Sequence, residues 1–529
     1  YNPQMSDSLR LISKQELAPY ACAGNAFARI EDARAVAQKR PGAEVIHQQG
    51  ASYVLYAADR LALGELGTLA AASNRIPMEF ISFGNQVLNL DNPEGIRGVG
   101  RRLSSQDLQG LAAKGNAFAR FTHAEAVAKK LHQDTAIVWR EGTYQLFAIS
   151  RDSSDRLLAG QNDLLDTRVT AVVRKSATLY NWGAERSTTS PHPGFAYASK
   201  GQLLLDGQPF TIRGLNVYDL VEVGMSSEAE LRETLQLMAD TGINSVRMLA
   251  LDKHPPEAIA KVLDTAREMG LKMKFIPVLG NHWQHVEAEH SHFVKDATWY
   301  RQGFEQYYWP HAEATIKALM DRPEILMWEL MNEPEAPPEV LRGFADEVSS
   351  RIRAIYDQRE RETGKPVPHH LISLGTLGVG NNDKPRPGMA GHDYKNLYGL
   401  PHLDVATVHD YTKATLSDNI AEYMHYARDL NKPFFLGEIG VKVRKGGTDT
   451  QPVYSLFERF LGYKADASHH QAISRLQEKI QASAKAGSAG AMLWGPQPRG
   501  HAVDGDGYGF NYDRDKPEFK QLISLFGSW

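Results

Sequence analysis

The chain has 529 residues, more than one ordinary core holds, so two or more domains are expected. Its 59 Lys and Arg against 63 Asp and Glu give a formal net charge of -4 with no long run of either sign, which argues against nucleic acid or an anionic membrane as the main partner. Apolar runs are strand-length and none approaches the ~20 residues of a membrane span, while Cys22, the only cysteine, excludes an internal disulfide and a cysteine-built zinc site.

The sequence opens at Tyr1 rather than Met, from which processing and a secreted or periplasmic location are expected. Its first part is duplicated. Gly24-Asn25-Ala26-Phe27-Ala28-Arg29 recurs as Gly115-Asn116-Ala117-Phe118-Ala119-Arg120, and the same offset of 91 carries Tyr53 onto Tyr144, Leu55 onto Leu146 and Arg60 onto Arg151. Each copy reads as a short helix, a second helix with its alanines and Phe27 or Phe118 inward, and two β runs around a glycine turn. Further β runs at 80–83 and 168–173 extend the units. Residues 1–183 are thus expected to form an α+β domain of two halves, about 9–92 and 102–183. It reads as a spacer, as a module binding glycan or cell wall through aromatics such as Tyr180 and Trp182, or as a partner-docking element. A linker rich in Ser, Thr, Pro and Gly follows at 184–194.

From 195 to 529 the pattern changes. Leu203 to Phe210 reads as a hairpin turning at Asp206-Gly207, placed to floor a barrel. Eight candidate strands follow, at 211–216, 245–248, 274–279, 325–331, 371–374, 405–408, 434–436 and 491–494. Helices alternate with them: Ser227 and Glu230 form a capping box, Pro255-Pro256 starts the next helix, and others are expected at 340–356, 419–430, 470–486 and 518–526. Only 388–400 lacks a convincing long helix. The fold class is therefore α/β, a (β/α)8 TIM barrel behind an α+β domain of two repeats.

Such barrels gather function where strands end. The strand ends here are Asn216 and Tyr218, Arg247, Asn281-His282-Trp283, Asn332-Glu333, His409-x-Tyr411, Glu438 and Trp494. Glu333 closes the run Ile325 to Asn332, and Glu438 closes Pro433 to Gly437. Two carboxylates at different strand ends suit glycoside hydrolysis, one protonating the leaving oxygen and the other staying ionised. Glu329 lies inside its strand and reads as a buried structural group, while the aromatic faces of Trp283 and Trp494 at loop mouths read as surfaces for stacking on pyranose rings.

Taken together, Arg247, Asn332-Glu333-Pro334, His409-Asp410-Tyr411, Gly437-Glu438 and Trp494 resemble retaining glycoside hydrolases of clan A, most closely family 5. Trp328 to Pro334 is similar to the Trp-Glu-Leu-x-Asn-Glu-Pro of its β-mannanase branch. The resemblance covers about 195–529. It implies Glu333 as acid/base, Glu438 as nucleophile, Asn332 on the sugar 2-hydroxyl, Arg247 and Tyr411 holding Glu438, His409 lining the reactive subsite and Trp494 flooring it, with no cofactor. The substrate implied is a β-linked polysaccharide or oligosaccharide, β-1,4-mannan or glucomannan first, cleaved internally by double displacement. His282, in place of a second asparagine, and Asp410 depart from the branch. They keep a β-glucanase and an exopolysaccharide hydrolase as alternatives, and a transglycosylase is a further one because a sugar hydroxyl can capture the covalent intermediate in place of water. A dead barrel that only binds glycan would have lost a carboxylate, and both are present.

Physically, Glu438 should be kept ionised by Arg247 and Tyr411, and Glu333 kept protonated by burial and the field of Glu438. Neither the histidines at 282, 285, 290 and 292 nor the aspartates at 504, 506 and 515 are expected to hold a metal.

Overall fold

The computed structural model describes residues 9–11, 43–49, 52–58, 79–83, 86–88, 99–102, 118, 120–131, 133–140, 142–149, 169–173 and 179–181 of the N-terminal part. Beyond it the described residues are 192–283, 295–301, 303–380, 384–412, 414–441, 469–494, 496–497, 510–511 and 524. The chain divides into two compact units, Tyr1–Trp182 with Asp346–Lys365, and Gly183–Ala345 with Pro366–Trp529.

In the first unit the strands are β1 Leu9–Leu11, β2 Ala43–Gln49, β3 Ser52–Ala58, β4 Glu79–Phe83, β5 Gln86–Leu88 and β6 Val99–Arg102. After them come helix α1 Phe121–Lys130 and strands β7 Thr135–Arg140, β8 Thr143–Ile149, β9 Val169–Val173 and β10 Leu179–Asn181. They form two antiparallel five-stranded sheets with orders β5-β4-β2-β3-β6 and β10-β9-β7-β8-β1. The sheets are copies of each other, and the copies exchange a strand. Leu11 pairs with Phe147, and 91 residues away from each, Arg102 pairs with Tyr56. Each repeat therefore completes the other's sheet, with strands β1 and β6 that alternation in the sequence did not mark.

The expected inward helix of the second copy is α1, but Phe118 precedes it, buried in a single bridge to Tyr144. Arg120 at the N-cap makes no side-chain cap bond. The orphan N–H groups of Phe121 and Thr122 instead donate to Asp346, at 3.3 and 3.0 Å. Trp139 donates to Asp357 at 2.5 Å, and the hydroxyls of Tyr144 and Ser350 share a bond of 2.9 Å. The segment Asp346–Lys365 thereby belongs to this unit, although it lies in the stretch that the sequence assigns to the barrel.

The second unit opens with β11 Ala196–Ser199, β12 Gln202–Leu205 and β13 Gln208–Pro209, in one antiparallel sheet. Asp206 and Gly207, with φ of 50° and 79°, make the tight turn for which that dipeptide is suited. Ala196, Ala198 and Leu203 pack in one cluster with Ile212, Ile276, Met327, Leu371, Val405, Phe435 and Met492. The hairpin thus closes the bottom of a barrel.

Its staves are β14 Ile212–Asn216, β15 Ser245–Leu249, β16 Lys274–Val278, β17 Met327–Glu329, β18 Leu371–Ser373, β19 Ala406–Asp410, β20 Phe434–Ile439 and β21 Gly490–Leu493. All ladders are parallel, in the order β18-β17-β16-β15-β14-β21-β20-β19. The ring shuts between β18 and β19, where Asp404 N and His409 N donate to Ile372 O and Thr376 O at 2.8 Å each. Asp404 Oδ2 adds a bond from Ile372 N at 2.8 Å. This is a (β/α)8 barrel.

Helices between the staves are α2 Leu220–Ser226, α3 Glu228–Asp240, α4 Pro256–Glu268, α5 Ala297–Arg301, α6 Tyr308–Leu319, α7 Pro338–Thr363, α8 Gly391–Tyr398, α9 Asp418–Asp429 and α10 His469–Lys485. Ser227 caps α3 by accepting from Glu230 N at 3.2 Å. The weak segment at 388–400 contains only the short α8. Among the described residues no helix is long and apolar enough to cross a membrane. Of the helix expected at 518–526 only Ser524, which is helical, is described, and the histidines at 285, 290 and 292 and the aspartates at 504, 506 and 515 lie outside the described residues, as do Tyr180's side chain and Trp182.

Asp410, the acidic residue that departs from the mannanase pattern, is structural. Lys479 of α10 donates to its Oδ2 at 2.8 Å and to Ala414 O at 2.7 Å, both ionic side chains being 1 % exposed. Replacing one partner of a buried pair strands the other's charge, at about 3–5 kcal/mol. Lys479→Met is therefore expected to lower the thermal unfolding midpoint sharply, and adding Asp410→Leu to recover much of the loss. Equal midpoints for Lys479→Met and wild type would contradict this pairing.

Candidate active site

Every expected site residue is described, and the barrel brings them together at the C-terminal ends of its strands. Arg247 comes from β15, Asn281, His282 and Trp283 follow β16, and Asn332 and Glu333 follow β17. His409 is in β19, Tyr411 just beyond it, Glu438 is in β20, and Trp494 follows β21. Tyr218, after β14, stacks on Trp494 with ring centroids 5.8 Å apart at 27°. Both rings are half-buried, as a surface for a pyranose face needs.

Asn332 and Glu333 are neighbours, and in a regular strand they would point to opposite sides. Glu333 has φ of 47°, a left-handed conformation that costs a side-chain-bearing residue roughly 1–2 kcal/mol. Asn332 N donates to Gly280 O at 2.8 Å and Glu333 N to Gly375 O at 2.6 Å, so the flanking strands hold the kink. Both side chains then face the site.

Arg247 is the hub. Its Nε and Nη2 donate to Glu329 Oε1 at 2.9 and 2.5 Å, and Nη2 also reaches Asn332 Oδ1 at 2.7 Å. Nη1 donates to Asn216 Oδ1 at 3.0 Å and Glu438 Oε1 at 2.5 Å. All five guanidinium N–H groups are thus used. Burial opposes its charge, but Glu329 and Glu438 outweigh that and raise its pKa further.

Tyr411 donates to the other oxygen of Glu438 at 2.5 Å. Both oxygens of Glu438 accept hydrogen bonds, the pattern of an ionised carboxylate. Burial pushes its pKa up, and His409, Arg247 and Tyr411 work against that shift.

Glu333 is set differently. Trp283 Nε1 donates to its Oε2 at 2.6 Å, and His409 Nδ1 lies 2.7 Å from its Oε1. Burial lifts its pKa to about 7, with Trp283 and Arg247 opposing and Glu335 adding to the rise. Burial was the expected cause, whereas the carboxylate expected to assist was Glu438. Burial also lowers His409 to about 4, so its imidazole is neutral near pH 7.

The amide of Asn332 is oriented, since its Oδ1 accepts from Arg247 and its Nδ2 donates to Asn281 Oδ1 at 2.9 Å. One N–H remains for a ligand. Asn281 Oδ1 also accepts from Trp283 N at 3.2 Å, and His282 Nδ1 bonds with Tyr300 Oη at 2.9 Å.

Sequence reasoning missed two parts of this arrangement, the bridge from Glu329 to Arg247 and the pairing of Arg386 with Glu335, and it placed Asn216 at a strand end of the site without its bond to the same guanidinium. A charged residue within a fully apolar strand was the available signal for Glu329, because it requires a buried cation. Ligating atoms of Glu333, His409 and Glu438 lie within 4.8 Å of one another, a spacing suited to a divalent ion. Arg247 and Tyr411 already occupy both oxygens of Glu438, and the fixed guanidinium opposes a second cation.

A carboxyl poised near neutrality, facing a carboxylate held by a guanidinium and a phenol with one oxygen of each within 4.8 Å of the other's, is the pair that a double-displacement glycoside hydrolase uses. The profile of the cellulase family, glycosyl hydrolase family 5, matches residues 203–466, and through this barrel the chain belongs to that family. Mannan endo-1,4-beta-mannosidase 8 of Oryza sativa subsp. japonica is 25 % identical over 305 residues, covering 46 % of this chain and 79 % of the rice protein. The probable mannan endo-1,4-beta-mannosidase C of Aspergillus terreus is 22 % identical over 398 residues, 62 % of this chain and 90 % of its own. Among solved structures, the endo-1,4-beta-mannanase of Rhizomucor miehei aligns with a TM-score of 0.45 at 17 % identity, over 63 % of this chain and 99 % of that one.

A carboxyl whose folded pKa lies above its unfolded value binds its proton more tightly in the folded state. The folded state therefore loses stability as pH rises from 4.5 to about 7, and the loss is complete above that. Glu333→Gln removes it. The variant should melt above wild type at pH 8, by up to about 3 kcal/mol of stability, and near it at pH 4. A gap independent of pH would contradict a carboxyl held protonated by burial.

Proposed function

We propose that this protein is a retaining endo-β-1,4-mannanase in which Glu438 is the nucleophile and Glu333 the acid/base. The observation carrying this reading is that two unlike carboxyl groups face one another, one oxygen of each within 4.8 Å of an oxygen of the other, in keeping with the roughly 5–5.5 Å between the carboxyl groups of a retaining pair. The names of the rice and Aspergillus relatives support the choice of mannan.

In the first step Glu438 attacks the anomeric carbon while Glu333 gives its proton to the departing oxygen. In the second, Glu333, now ionised, takes a proton from water as that water displaces Glu438, and configuration is retained. Arg247 and Tyr411 hold the nucleophile, the free N–H of Asn332 meets the 2-hydroxyl, and Tyr218 and Trp494 offer the stacking surface. Trp283 carries a role beyond the stacking expected of it, since its indole N–H holds the acid. His282 and Asn281 support the loop that presents Trp283. The protein acts on polysaccharide, and a secreted or periplasmic location is part of the same proposal.

For the N-terminal unit we favour a structural role, because Asp346, Ser350 and Asp357 find their partners inside it. Glycan binding by that unit is best tested with point variants, since truncation at 183 would strip those partners.

Reducing-end release on β-mannan, glucomannan, cellulose, mixed-linkage glucan and β-1,3-glucan tests the assignment. Mannan should be cleaved to oligosaccharides, with Glu438→Ala inactive and Glu333→Ala reduced about 10²–10⁴-fold in kcat. The alkaline limb of kcat/KM should lie near pH 7, where Glu333 loses its proton. Preference for a glucan would overturn the substrate, and full activity in Glu438→Ala would overturn the mechanism.

A further inference from the structure

Glu329 is 0 % exposed and takes two of the five N–H bonds of Arg247 on a single oxygen. Its other oxygen, Oε2, is buried without a hydrogen-bond partner among the described residues. A carboxylate left half-satisfied in the interior costs more than an amide of the same shape, so stability alone does not account for it. The neighbouring strand makes room for it. A Cβ on Gly375 would lie 2.1 Å from Glu329 Oε1 and 3.0 Å from Arg247 Nη2.

We propose that Glu329 is a positioning residue of the reaction, which holds Arg247 by its Nε–Nη2 edge and keeps one uncompensated negative charge in the buried site. The proposal rests on the roles given above to Glu333 and Glu438. With Glu329 on that edge, Arg247 presents only Nη1 to Glu438 and does not close on it with a two-pronged grip. The nucleophile is held but not fully neutralised. Counting charges, Arg247 balances one of Glu329 and Glu438, while neutral His409 and protonated Glu333 contribute none. The single excess negative charge disfavours ionisation of Glu333.

Other charged or titratable groups facing Glu333 are His282 beside Trp283, Glu335 on its own loop, Arg386 paired with Glu335, and Tyr411. Glu329→Gln alters none of them and retains an acceptor for Arg247.

The indole N–H of Trp283 sits 2.6 Å from Glu333 Oε2, so its ¹H–¹⁵N resonance reports protonation of Glu333 without any substrate. Loss of one signal in Trp283→Phe assigns it among the eight tryptophans. In the intact chain, Glu329→Gln should move the titration midpoint of that signal down by about one pH unit. Its alkaline kcat/KM limb should move with it. Glu329→Asp keeps the charge but shortens the reach; its midpoint should stay at the wild-type value while kcat falls on the order of tenfold at unchanged KM.

An unmoved midpoint in Glu329→Gln overturns the proposal. If that variant does not fold, wild-type kcat in Glu329→Asp overturns it, and reduced kcat with an unmoved midpoint supports it. A wild type that cleaves no β-glycoside defeats the functional reading instead, and the substrate-free titration still reports on Glu329.

Discussion

One guanidinium organises this site. Arg247 lies in the interior, where an unpaired charge would cost several kcal/mol, and it is stabilised there by spending every N–H on a named acceptor. Those acceptors are Glu438, Asn332, Asn216 and Glu329. The same bonds that make the arginine tolerable set the direction of the nucleophile and the orientation of the amide facing the sugar. A Lys in its place would carry the charge but lack the planar fork, so it would satisfy fewer of these partners at once.

The barrel makes such a hub possible by delivering one residue from each of several strands to a common point. β14 gives Asn216, β15 gives Arg247, β17 gives Glu329 and leads into Asn332, and β20 gives Glu438. Two local devices add precision: the left-handed backbone of Glu333, and Gly375, where a side chain would collide with the Arg247–Glu329 pair. Each relinquishes some local stability to place a reacting group, a trade expected at catalytic sites. The carboxyls then differ through surroundings alone. Glu438 meets a cation and a phenol, while Glu333 meets an indole N–H, a neutral imidazole and a second acid, Glu335.

Much of this was legible in the residues. Eight apolar runs, seven of them leading into a polar or aromatic residue, give the barrel and its strand ends, because a buried parallel strand has no other reason to finish in Asn-Glu or Gly-Glu. Glu329 was legible only as a buried carboxylate, since its partner lies 82 residues away and strand order must be known before the two meet. Trp283 was read as a stacking surface because an aromatic at a loop mouth is equally suited to stacking and to donating a hydrogen bond. The exchanged strands β1 and β6 were missed for a related reason: each is short, and its pairing partner belongs to the other repeat. Asp410 looked like a departure in the catalytic motif until Lys479, from a distant helix, accounted for it.

The central claim is that Arg247 and Tyr411 hold Glu438 ionised so that it becomes covalently bound to the sugar. Incubation with a 2-deoxy-2-fluoro-β-mannosyl fluoride, followed by proteolysis and mass spectrometry of the labelled peptide, tests this most directly. The account predicts one sugar per chain, on the peptide containing Glu438, and none in Glu438→Gln. A label on Glu333, or turnover of an unlabelled enzyme to product of inverted configuration, would contradict it.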